Sequence, residues 1–505
     1  MSALSRKELK MKYQSTRDLS CKKYSSAQII KQGIANDGGL FIPESIPALS
    51  KDEISELCGL SYPERAAKIL SKFLDDYTYE ELLQDCHAAY SESSFVGGAA
   101  PLVNVHDNIY SLELWHGPTA AFKDMALQIM PRLLSRSLTK TGEDKTAVIL
   151  VATSGDTGKA ALEGYKDIDK IKIMVFYPVD GVSRVQKLQM ATQTGDNVNV
   201  CAIKGNFDDA QTGVKNIFAN PEVSKKLAEN GYFLSSANSI NWGRLAPQIV
   251  YYISAYCDLI SSKDIKMGET VNVCVPTGNF GNIFAAYIAK LMGLPIGKLI
   301  CASNTNNILT DFLRTGVYDR NRDFHLTMSP SMDILISSNL ERLLCFSAGI
   351  EKTVGYMKSL NETGRYEVDD EVKAKIASDF VGYFADEEAT AKAIKDNYDR
   401  YGYLCDTHTA VALDSARQYI EQTGDNTKII VDSTASPYKF AADVYNSLTE
   451  KTPEDALEAL DMLSSYTNTE IAYPLKNLAQ RKVRFDEVIE AEDMLSAVYS
   501  YIDIK

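Results

Sequence analysis

The sequence lacks any long uninterrupted apolar segment: no run approaches the ~20 residues that a membrane-spanning helix requires. The first residues, MSALSRKELKMKYQ, also lack an apolar core of the length found in secretory signal peptides. Hydrophobic residues make up 45% of the chain and charged residues 24%, which is the usual range of a soluble globular protein. We therefore expect a soluble protein of the cytoplasm.

Patterns of metal-binding or disulfide-forming residues are also missing. The nine cysteines are scattered, and no two of them form a C-x-x-C pair. They are Cys21, Cys58, Cys86, Cys201, Cys257, Cys274, Cys301, Cys345 and Cys405. The five histidines lack the spacing of metal ligands. Several cysteines lie in apolar runs such as VNVCVP, which is typical of reduced, buried thiols in a cytoplasmic protein, so we expect no metal site.

Long basic runs are absent, and the formal net charge is −14, from 53 basic and 67 acidic residues. Nucleic acid and anionic membranes are therefore not expected as partners. A small anionic substrate is compatible with this charge if its site is locally positive. At 505 residues the chain is too long for one ordinary core, so we expect two or more domains, in a monomer or a homodimer.

Apolar strands alternate with amphipathic helices from about residue 145. The predicted strand segments are 146–153, 171–178, 197–204, 271–281, 298–304 and 428–436. Continuous apolar strands separated by helices indicate parallel sheets that are covered on both faces. The predicted fold class is thus α/β, with two open, mostly parallel sheets and flanking helices. The predicted division is a mainly helical N-terminal region (1–95), a first α/β lobe (96–240), a second α/β lobe (241–449) and a C-terminal helical extension (450–505).

We interpret the chain as organised around the stretch HGPTAAFKDMALQ, residues 116–128, with Lys123 near its centre. Lys123 directly precedes an apolar helical run from Met125 to Leu134. A solvated charge is the commoner interpretation of a lone lysine at a helix start. The partial positive charge of a helix N-terminus disfavours a lysine cation there, however. A lysine that is kept neutral and half-buried can serve instead as a Schiff-base amine.

Two glycine-rich turns follow predicted strands. TGNFGN, from Thr277 to Asn282, opens a helix, so its backbone N–H groups can hold a phosphate, although a plain turn remains the alternative. SGDTG, residues 154–158, is followed by Lys159, but Thr153 and Ala160 stand where a Walker A motif needs glycine and Ser or Thr. The SGDTG turn is better suited to holding a carboxylate and orienting polar groups.

Two further strand ends carry polar motifs. NSINWGR, residues 238–244, places Arg244 in the first turn of a helix, where it is either part of a surface salt bridge or a contact for an anion. STASP, residues 433–437, offers Thr434 either as a helix cap or as a hydrogen-bond partner for a heterocycle nitrogen. A Schiff-base lysine, a phosphate cradle and such a hydroxyl are the parts that pyridoxal 5′-phosphate requires.

These motifs closely resemble the threonine synthase family of fold-type II pyridoxal-phosphate enzymes, whose fold is like that of tryptophan synthase β. The resemblance covers most of the chain. It includes YQSTRDL, IANDGGLFIP, ELWHGPTAAFKDMALQ, ATSGDTGKAAL, SANSINWGRLAPQ, PTGNFGN, NTNNILTDFLRTG, SPSMDILISSNLERLL and CDTHTAVA. It implies that Lys123 forms the Schiff base with the cofactor and that Thr434 faces the pyridine nitrogen.

The resemblance assigns the remaining site residues in three sets. The implied cofactor-phosphate residues are Gly278, Asn279, Phe280, Gly281 and Asn282. The implied contacts to the amino-acid end of the substrate, or to the hydroxyl on the pyridine ring of the cofactor, are Ser154, Asp156 and Thr157. The implied contacts to the substrate phosphate are Asn238, Ser239, Asn241 and Arg244. The family usually has histidine where this chain has Ser436, so a family role for that side chain does not transfer.

The implied reaction converts O-phospho-L-homoserine and water into L-threonine and phosphate by γ-elimination and β-addition of water. A phospho-lyase that uses the same site but releases 2-oxobutyrate is the nearest alternative. A non-catalytic ligand-binding protein on the same fold is a third possibility, against which the intact lysine and both glycine turns argue.

Overall fold

Strands and helices alternate through most of the chain. A computed structural model describes residues 10–153 and 155–504. Its strands are β1 (Tyr13–Ser15), β2 (Phe41–Pro43), β3 (Leu102–His106), β4 (Ile109–Glu113), β5 (Thr146–Ala152), β6 (Ile171–Pro178), β7 (Val198–Lys204), β8 (Tyr232–Ser235), β9 (Val271–Pro276), β10 (Ile296–Ser303), β11 (Val317–Asp319), β12 (Arg365–Glu367), β13 (Phe380–Phe384), β14 (Ile429–Ser433) and β15 (Val488–Glu490).

The helices surround these strands. They are α1 (Ser26–Gln32), α2 (Lys51–Cys58), α3 (Tyr62–Ser71), α4 (Tyr79–Ala89), α5 (Asp124–Leu127), α6 (Met130–Lys140), α7 (Asp156–Tyr165), α8 (Arg184–Ala191), α9 (Phe207–Ala219), α10 (Pro221–Glu229), α11 (Trp242–Ser261), α12 (Gly281–Leu291), α13 (Ile308–Thr315), α14 (Leu340–Ala348), α15 (Ile350–Thr363), α16 (Asp370–Asp379), α17 (Glu387–Tyr401), α18 (Thr407–Thr423), α19 (Ala441–Thr449), α20 (Glu458–Thr467) and α21 (Met494–Tyr501). None of the helices in the described part of the chain has both the length and the apolar character needed to span a membrane.

One sheet has five strands in the order β15-β7-β6-β5-β8, and every neighbouring pair in it is parallel. Its middle strand, β6, covers the predicted residues 171–178 and is buried at every position except Lys172. A strand that is enclosed on both faces has no solvent side, which is why its sequence is continuously apolar.

The other sheet has six strands in the order β13-β10-β9-β14-β4-β3. Only the β3–β4 pair is antiparallel, and the remaining pairs are parallel. The predicted α/β class with two open, mostly parallel sheets is therefore confirmed.

Two parts of the predicted division need correction. The hairpin β3–β4 falls in the predicted first lobe, 96–240, but it belongs to the six-stranded sheet, because Ile109 of β4 pairs with Ile429 of β14. The C-terminal extension, 450–505, is not purely helical, because β15 pairs with β7 and places Val488 opposite Ala202. Both pairings join segments that are far apart in sequence, so neither produces a local pattern.

The apolar run from Met125 to Leu134 is two helices and not one, since α5 ends before α6 begins. Pro131 in the first turn of α6 has no N–H to donate to the carbonyl of Leu127, so the helix cannot continue. Gly164 of α7 packs against that free carbonyl, and an added Cβ there would lie 1.8 Å from the Leu127 oxygen. This close approach fixes the short helix α5, with Lys123 at its N-terminal end, against α7.

The N-terminal region is mainly helical, as predicted, and it contacts two later segments of the chain, the loop between β8 and α11 and the helix α14. Its turn before β2 brings the Phe41 carbonyl to within 3.0 Å of Nε of Arg342, which donates to it. The Ile30 carbonyl accepts a hydrogen bond of 3.0 Å from Nδ2 of Asn241. The region thus holds two segments that carry candidate site residues.

Candidate active site

Lys123 lies at the N-terminus of α5 and is only 9% exposed. Its Nζ is 3.4 Å from Oδ2 of Asp156 and 3.3 Å from Oγ of Ser331. Burial lowers the pKa of Lys123; the Asp156 charge opposes this shift, and the charges of Lys439 and Arg244 add to it. The structure thus places at this helix start a buried amine that loses its proton more readily than an exposed lysine does, which suits a Schiff-base lysine.

Asp156 links Lys123 to a second buried lysine. Its Oδ1 accepts hydrogen bonds from Nζ of Lys439 at 2.9 Å and from Nε2 of Gln186 at 2.8 Å. Burial opposes ionisation of Asp156, but Lys439, Lys123 and Gln186 outweigh it and hold the pKa of this carboxyl well below its usual range. An ionised Asp156 would repel the carboxylate of a substrate. Of the two partners considered from the sequence, the geometry therefore favours the hydroxyl on the pyridine ring of the cofactor.

The turn ahead of Lys123 is held by an internal carboxylate. Oδ2 and Oδ1 of Asp124 accept hydrogen bonds from the backbone N and Oγ1 of Thr119 at 2.8 Å and 2.7 Å. Nζ of Lys439 donates to the Thr119 carbonyl at 2.9 Å. In the SGDTG turn, Thr157 is half-buried in the first turn of α7, whereas Ser154 lies outside the described residues.

The TGNFGN turn joins β9 to α12. A Cβ added at Gly278 would lie 2.7 Å from the Ser331 carbonyl oxygen, so a glycine is needed for this close approach. The Asn279 carbonyl accepts hydrogen bonds from the backbone N and Nδ2 of Asn339 at 3.0 Å and 2.9 Å. Phe280 adopts the left-handed conformation, with φ 61°, just before Gly281 opens the 11-residue helix α12. The unpaired N–H groups and partial positive charge of that helix start suit a phosphate.

Thr434 lies beside the lysine segment because the chain beyond β14 pairs with it. The backbone N of Phe122 donates to the Thr434 carbonyl at 2.8 Å, and the backbone N of Ser436 donates to the Ala120 carbonyl at 3.1 Å. Thr434 is 6% exposed, and its hydroxyl has no hydrogen-bond partner among the described residues. Oγ of Ser436 accepts from the backbone N of Tyr438 and so caps a short 3₁₀ helix.

Arg244 lies in the first turn of α11 and is 5% exposed. Within the described residues its guanidinium makes one hydrogen bond, from Nη1 to the Ala237 carbonyl at 2.9 Å, and no carboxylate there pairs with it. Burial lowers the pKa of Arg244 to about 10. A buried guanidinium with free donors is suited to binding an anion, so the surface salt bridge considered from sequence is not what the structure shows.

The other residues of the NSINWGR motif differ in their availability. Asn238 is exposed and Ser239 is half-buried, with its Oγ 3.5 Å from Nδ2 of Asn339. Asn241 is fully buried, and its Oδ1 caps α11 by accepting from the backbone N of Gly243 at 2.8 Å. Because its Nδ2 binds the Ile30 carbonyl, the Asn241 side chain positions the loop and has little capacity left for a ligand.

Sequence reasoning missed three residues of this site. Lys439 carries no motif of its own, although it follows STASP by two residues. Ser331 and Asn339 lie in SPSMDILISSNLERLL, a segment that supports the resemblance but contains no recognisable chemical pattern. His408 supports Ser331, because its Nε2 accepts from the Ser331 backbone N at 3.1 Å and its Nδ1 is 2.7 Å from Oδ2 of Asp406.

These residues fit pyridoxal 5′-phosphate. The buried amine of Lys123, the glycine turn before α12 and the Thr434 hydroxyl, which has no partner among the described residues, would suit the aldehyde, phosphate and ring nitrogen of that cofactor. Among residues 10–153 and 155–504 no cluster of side chains could hold a metal ion. The fold and the site together define a pyridoxal-phosphate-dependent enzyme of fold type II.

Comparison with known sequence families agrees with this class. Residues 97–432 match the family described as "Pyridoxal-phosphate dependent enzyme". Residues 12–90 match "Threonine synthase N terminus", and residues 409–502 match "Threonine synthase, C-terminal". The chain belongs to the threonine synthase family.

Individual relatives cover most of the chain. It is 41% identical to "Threonine synthase-like 1" of Homo sapiens over 89% of this chain and 61% of that protein, so it spans about three-fifths of that relative's length. It is 38% identical to the threonine synthase of Pseudomonas aeruginosa over 85% of this chain and 89% of that one. The crystal structure of PLP-bound threonine synthase from Brucella melitensis, 36% identical, superposes with a TM-score of 0.86 over 97% of this chain and 98% of that one.

Proposed function

We propose that this protein converts O-phospho-L-homoserine and water into L-threonine and phosphate. The observation that carries the proposal is the buried guanidinium of Arg244. It has no acidic partner among the described residues, and it lies close enough to Lys123 to lower the pKa of that amine. A site that pairs a Schiff-base lysine with a second, unpaired cation is suited to a phosphorylated amino acid.

The cofactor-binding residues of the proposal are those at the carboxyl ends of β9 and β14. The backbone of Gly278, Asn279, Phe280, Gly281 and Asn282 would hold the phosphate of pyridoxal 5′-phosphate, and Thr434 would contact its ring nitrogen. Because Thr434 presents a neutral hydroxyl and not a carboxylate, that nitrogen would be less strongly protonated. When bound, pyridoxal 5′-phosphate supplies the electron sink that stabilises negative charge on the substrate carbons.

Lys123 is the proposed proton carrier. Nζ of Lys123 would take the α proton of the substrate and pass it to the conjugated system that the bound cofactor would supply. The same nitrogen, neutral again, would then take the β proton. Burial favours the neutral, basic form of Lys123, and contacts to Asp156 and Ser331 restrict where Nζ can point. The low exposure of the amine also keeps bulk water away from the reacting carbons.

Arg244 is the proposed contact to the substrate phosphate, together with Asn238, Ser239 and the loop that Asn241 braces. A guanidinium held in a buried site stabilises the negative charge that develops on the departing phosphate. Ser154 and Thr157 would then face the amino-acid end of the substrate. Cytoplasmic location, as a monomer or homodimer, is part of the proposal, since all nine cysteines are free thiols in the structure, which suits a reducing compartment.

The test is a product analysis of the purified, cofactor-loaded protein after O-phospho-L-homoserine is added. Stoichiometric threonine and phosphate are expected, and Lys123→Ala should abolish both and prevent formation of a borohydride-reducible cofactor adduct. Phosphate accompanied by 2-oxobutyrate would make the protein a phospho-lyase that uses the same residues. No phosphate release at all would refute the assignment of Arg244 and its loop.

A further inference from the structure

Four buried side chains form a polar cluster behind the TGNFGN turn, and the proposed mechanism gives none of these side chains a role, although it uses the backbone of Asn282. They are Tyr251 and Tyr252 of α11, Asn282 of α12 and Asp432 of β14. Asp432 is fully buried and precedes Thr434 by two residues. Asn282 is the last residue of the turn, so this cluster connects the proposed phosphate-binding turn to β14, which ends one residue before Thr434.

Three of these side chains are mutually in contact, and each contact needs one hydrogen atom. The Tyr252 hydroxyl is 2.6 Å from Oδ1 of Asn282 and 2.6 Å from Oδ2 of Asp432. Nδ2 of Asn282 is 2.9 Å from the same Oδ2. Tyr252 supplies one hydrogen and the amide supplies a second, so the third must be carried by Asp432. Exchanging the amide oxygen and nitrogen of Asn282 leaves the number of required hydrogens unchanged, and Asp432 must still carry one of them.

The other oxygen of Asp432 points to the same protonation state. Its Oδ1 is buried and has no hydrogen-bond partner among the described residues. A charged oxygen in that position would bear the full cost of desolvation, whereas the carbonyl of a neutral acid bears much less. The titratable groups that face Asp432 are Tyr251, Tyr252 and Cys274, and none is a cation. Burial accordingly raises the pKa of Asp432 to about 7.

We infer that Asp432 is a neutral carboxylic acid whose proton positions Asn282, and with it the start of the phosphate-binding helix. The inference rests on the proposed seating of the cofactor phosphate at residues 278–282. An ionised Asp432 would oppose the phosphate electrostatically and would break the three-way contact that holds Asn282. Asp432 is therefore a positioning residue, and cofactor binding is linked to its protonation.

The linkage has a defined sign. Binding of the phosphate requires the protonated acid, so ionisation of Asp432 in the cofactor-free protein weakens binding as the pH rises through the pKa of about 7. The expected loss of affinity from this group is roughly tenfold between about pH 6 and pH 8. Asparagine at this position cannot ionise, and its amide donates two hydrogens, which satisfies all three contacts once the Asn282 amide turns over.

The test compares wild type, Asp432→Asn and Asp432→Ala, with the exposed Asp461→Asn as a matched control. The dissociation constant of pyridoxal 5′-phosphate is measured by absorbance titration of cofactor-free protein at several pH values. The ratio of wild type to Asp432→Asn cancels the ionisation of Lys123 and of the cofactor itself, so it should rise roughly tenfold over this pH range. Asp432→Ala should bind weakly at every pH, and Asp461→Asn should behave as wild type.

A second readout reports the proton directly. Infrared difference spectra of wild type against Asp432→Asn should contain the carbonyl stretch of a protonated carboxylic acid below neutral pH. If Asp432→Asn does not fold, Tyr252→Phe serves instead, because it should shift that band by removing one hydrogen bond. A constant ratio of dissociation constants, or no such band, would overturn the inference. Failure of the wild type to take up cofactor would refute the proposed function instead, and the infrared band would still decide the state of Asp432.

Discussion

Replacing Lys439 with methionine tests the charge arrangement around Lys123, the proposed Schiff-base lysine. Methionine keeps the length and apolar stem of lysine but removes its charge, its 2.9 Å contact with Asp156 and its hydrogen bond to the Thr119 carbonyl. Asp156 would then have Lys123 as its only cationic partner in the described site. Removing one cationic partner of a buried carboxylate lowers the free energy of unfolding by about 3–5 kcal/mol.

The change should also raise the pKa of Lys123. Lys123 and Lys439 contact opposite oxygens of one carboxylate, so their ammonium groups lie within about 8 Å, where the repulsion at an effective dielectric constant near 20 is about 2 kcal/mol. Loss of that repulsion removes one of the charges that lower the pKa of Lys123, so this pKa should rise. Because only the neutral amine attacks an aldehyde, the pH midpoint for cofactor attachment should move upward.

The assay is the rate at which cofactor-free protein forms the borohydride-reducible adduct with pyridoxal 5′-phosphate, recorded against pH. Lys451→Met, at an exposed position, is the matched control and should leave the profile unchanged. The double variant Lys439→Met with Asp156→Asn removes both charges and should recover most of the lost stability. A Lys439→Met profile that coincides with that of the wild type would refute the electrostatic reasoning.

Two further substitutions test the anion sites separately. Gly278→Ala should weaken cofactor binding at least tenfold, because its Cβ would meet the Ser331 carbonyl oxygen at 2.7 Å, whereas the control Gly355→Ala, which has no neighbour within 4 Å, should have no effect in the same absorbance titration. Arg244→Ala should raise KM for O-phospho-L-homoserine by roughly 30-fold or more, and Arg244→Lys by less, with little change in cofactor affinity. Equal losses of substrate and cofactor affinity would contradict the role of Arg244.

The strands that sequence predicts well are those buried on both faces. β6 is continuously apolar because helices cover both sides of its sheet, so its boundaries could be read directly from Ile171 to Pro178. The hairpin β3–β4 and the three-residue strand β15 carry no such run. Their place in the sheets is decided by pairing with β14 and β7, which lie hundreds of residues away, and no local pattern encodes that pairing.

The site divides in the same way. Lys123, the TGNFGN turn and Thr434 could be proposed as site residues from the sequence because each stands at a strand or helix end, where chain geometry and residue type together suggest chemistry. Ser331 could not, because its contact with Lys123 spans 208 residues of sequence and depends on how a long loop folds back. Lys439 likewise lacks a local signal, since a lysine in a short helical turn is usually a surface residue until tertiary structure buries it.

The charges of this site oppose the net charge of the whole chain, which is −14. Exposed acidic groups are screened by salt beyond about 10 Å, so they have little effect on a buried site. Inside the site Lys123, Lys439 and Arg244 are cations when protonated, and Asp156 is the carboxylate that contacts both lysines. The cofactor and the proposed substrate each bring a phosphate, so an additional buried anion would work against both. A neutral Asp432 preserves the excess of positive charge. This explains why the protein can tolerate a carboxyl group directly behind the TGNFGN turn, where the cofactor phosphate is proposed to bind.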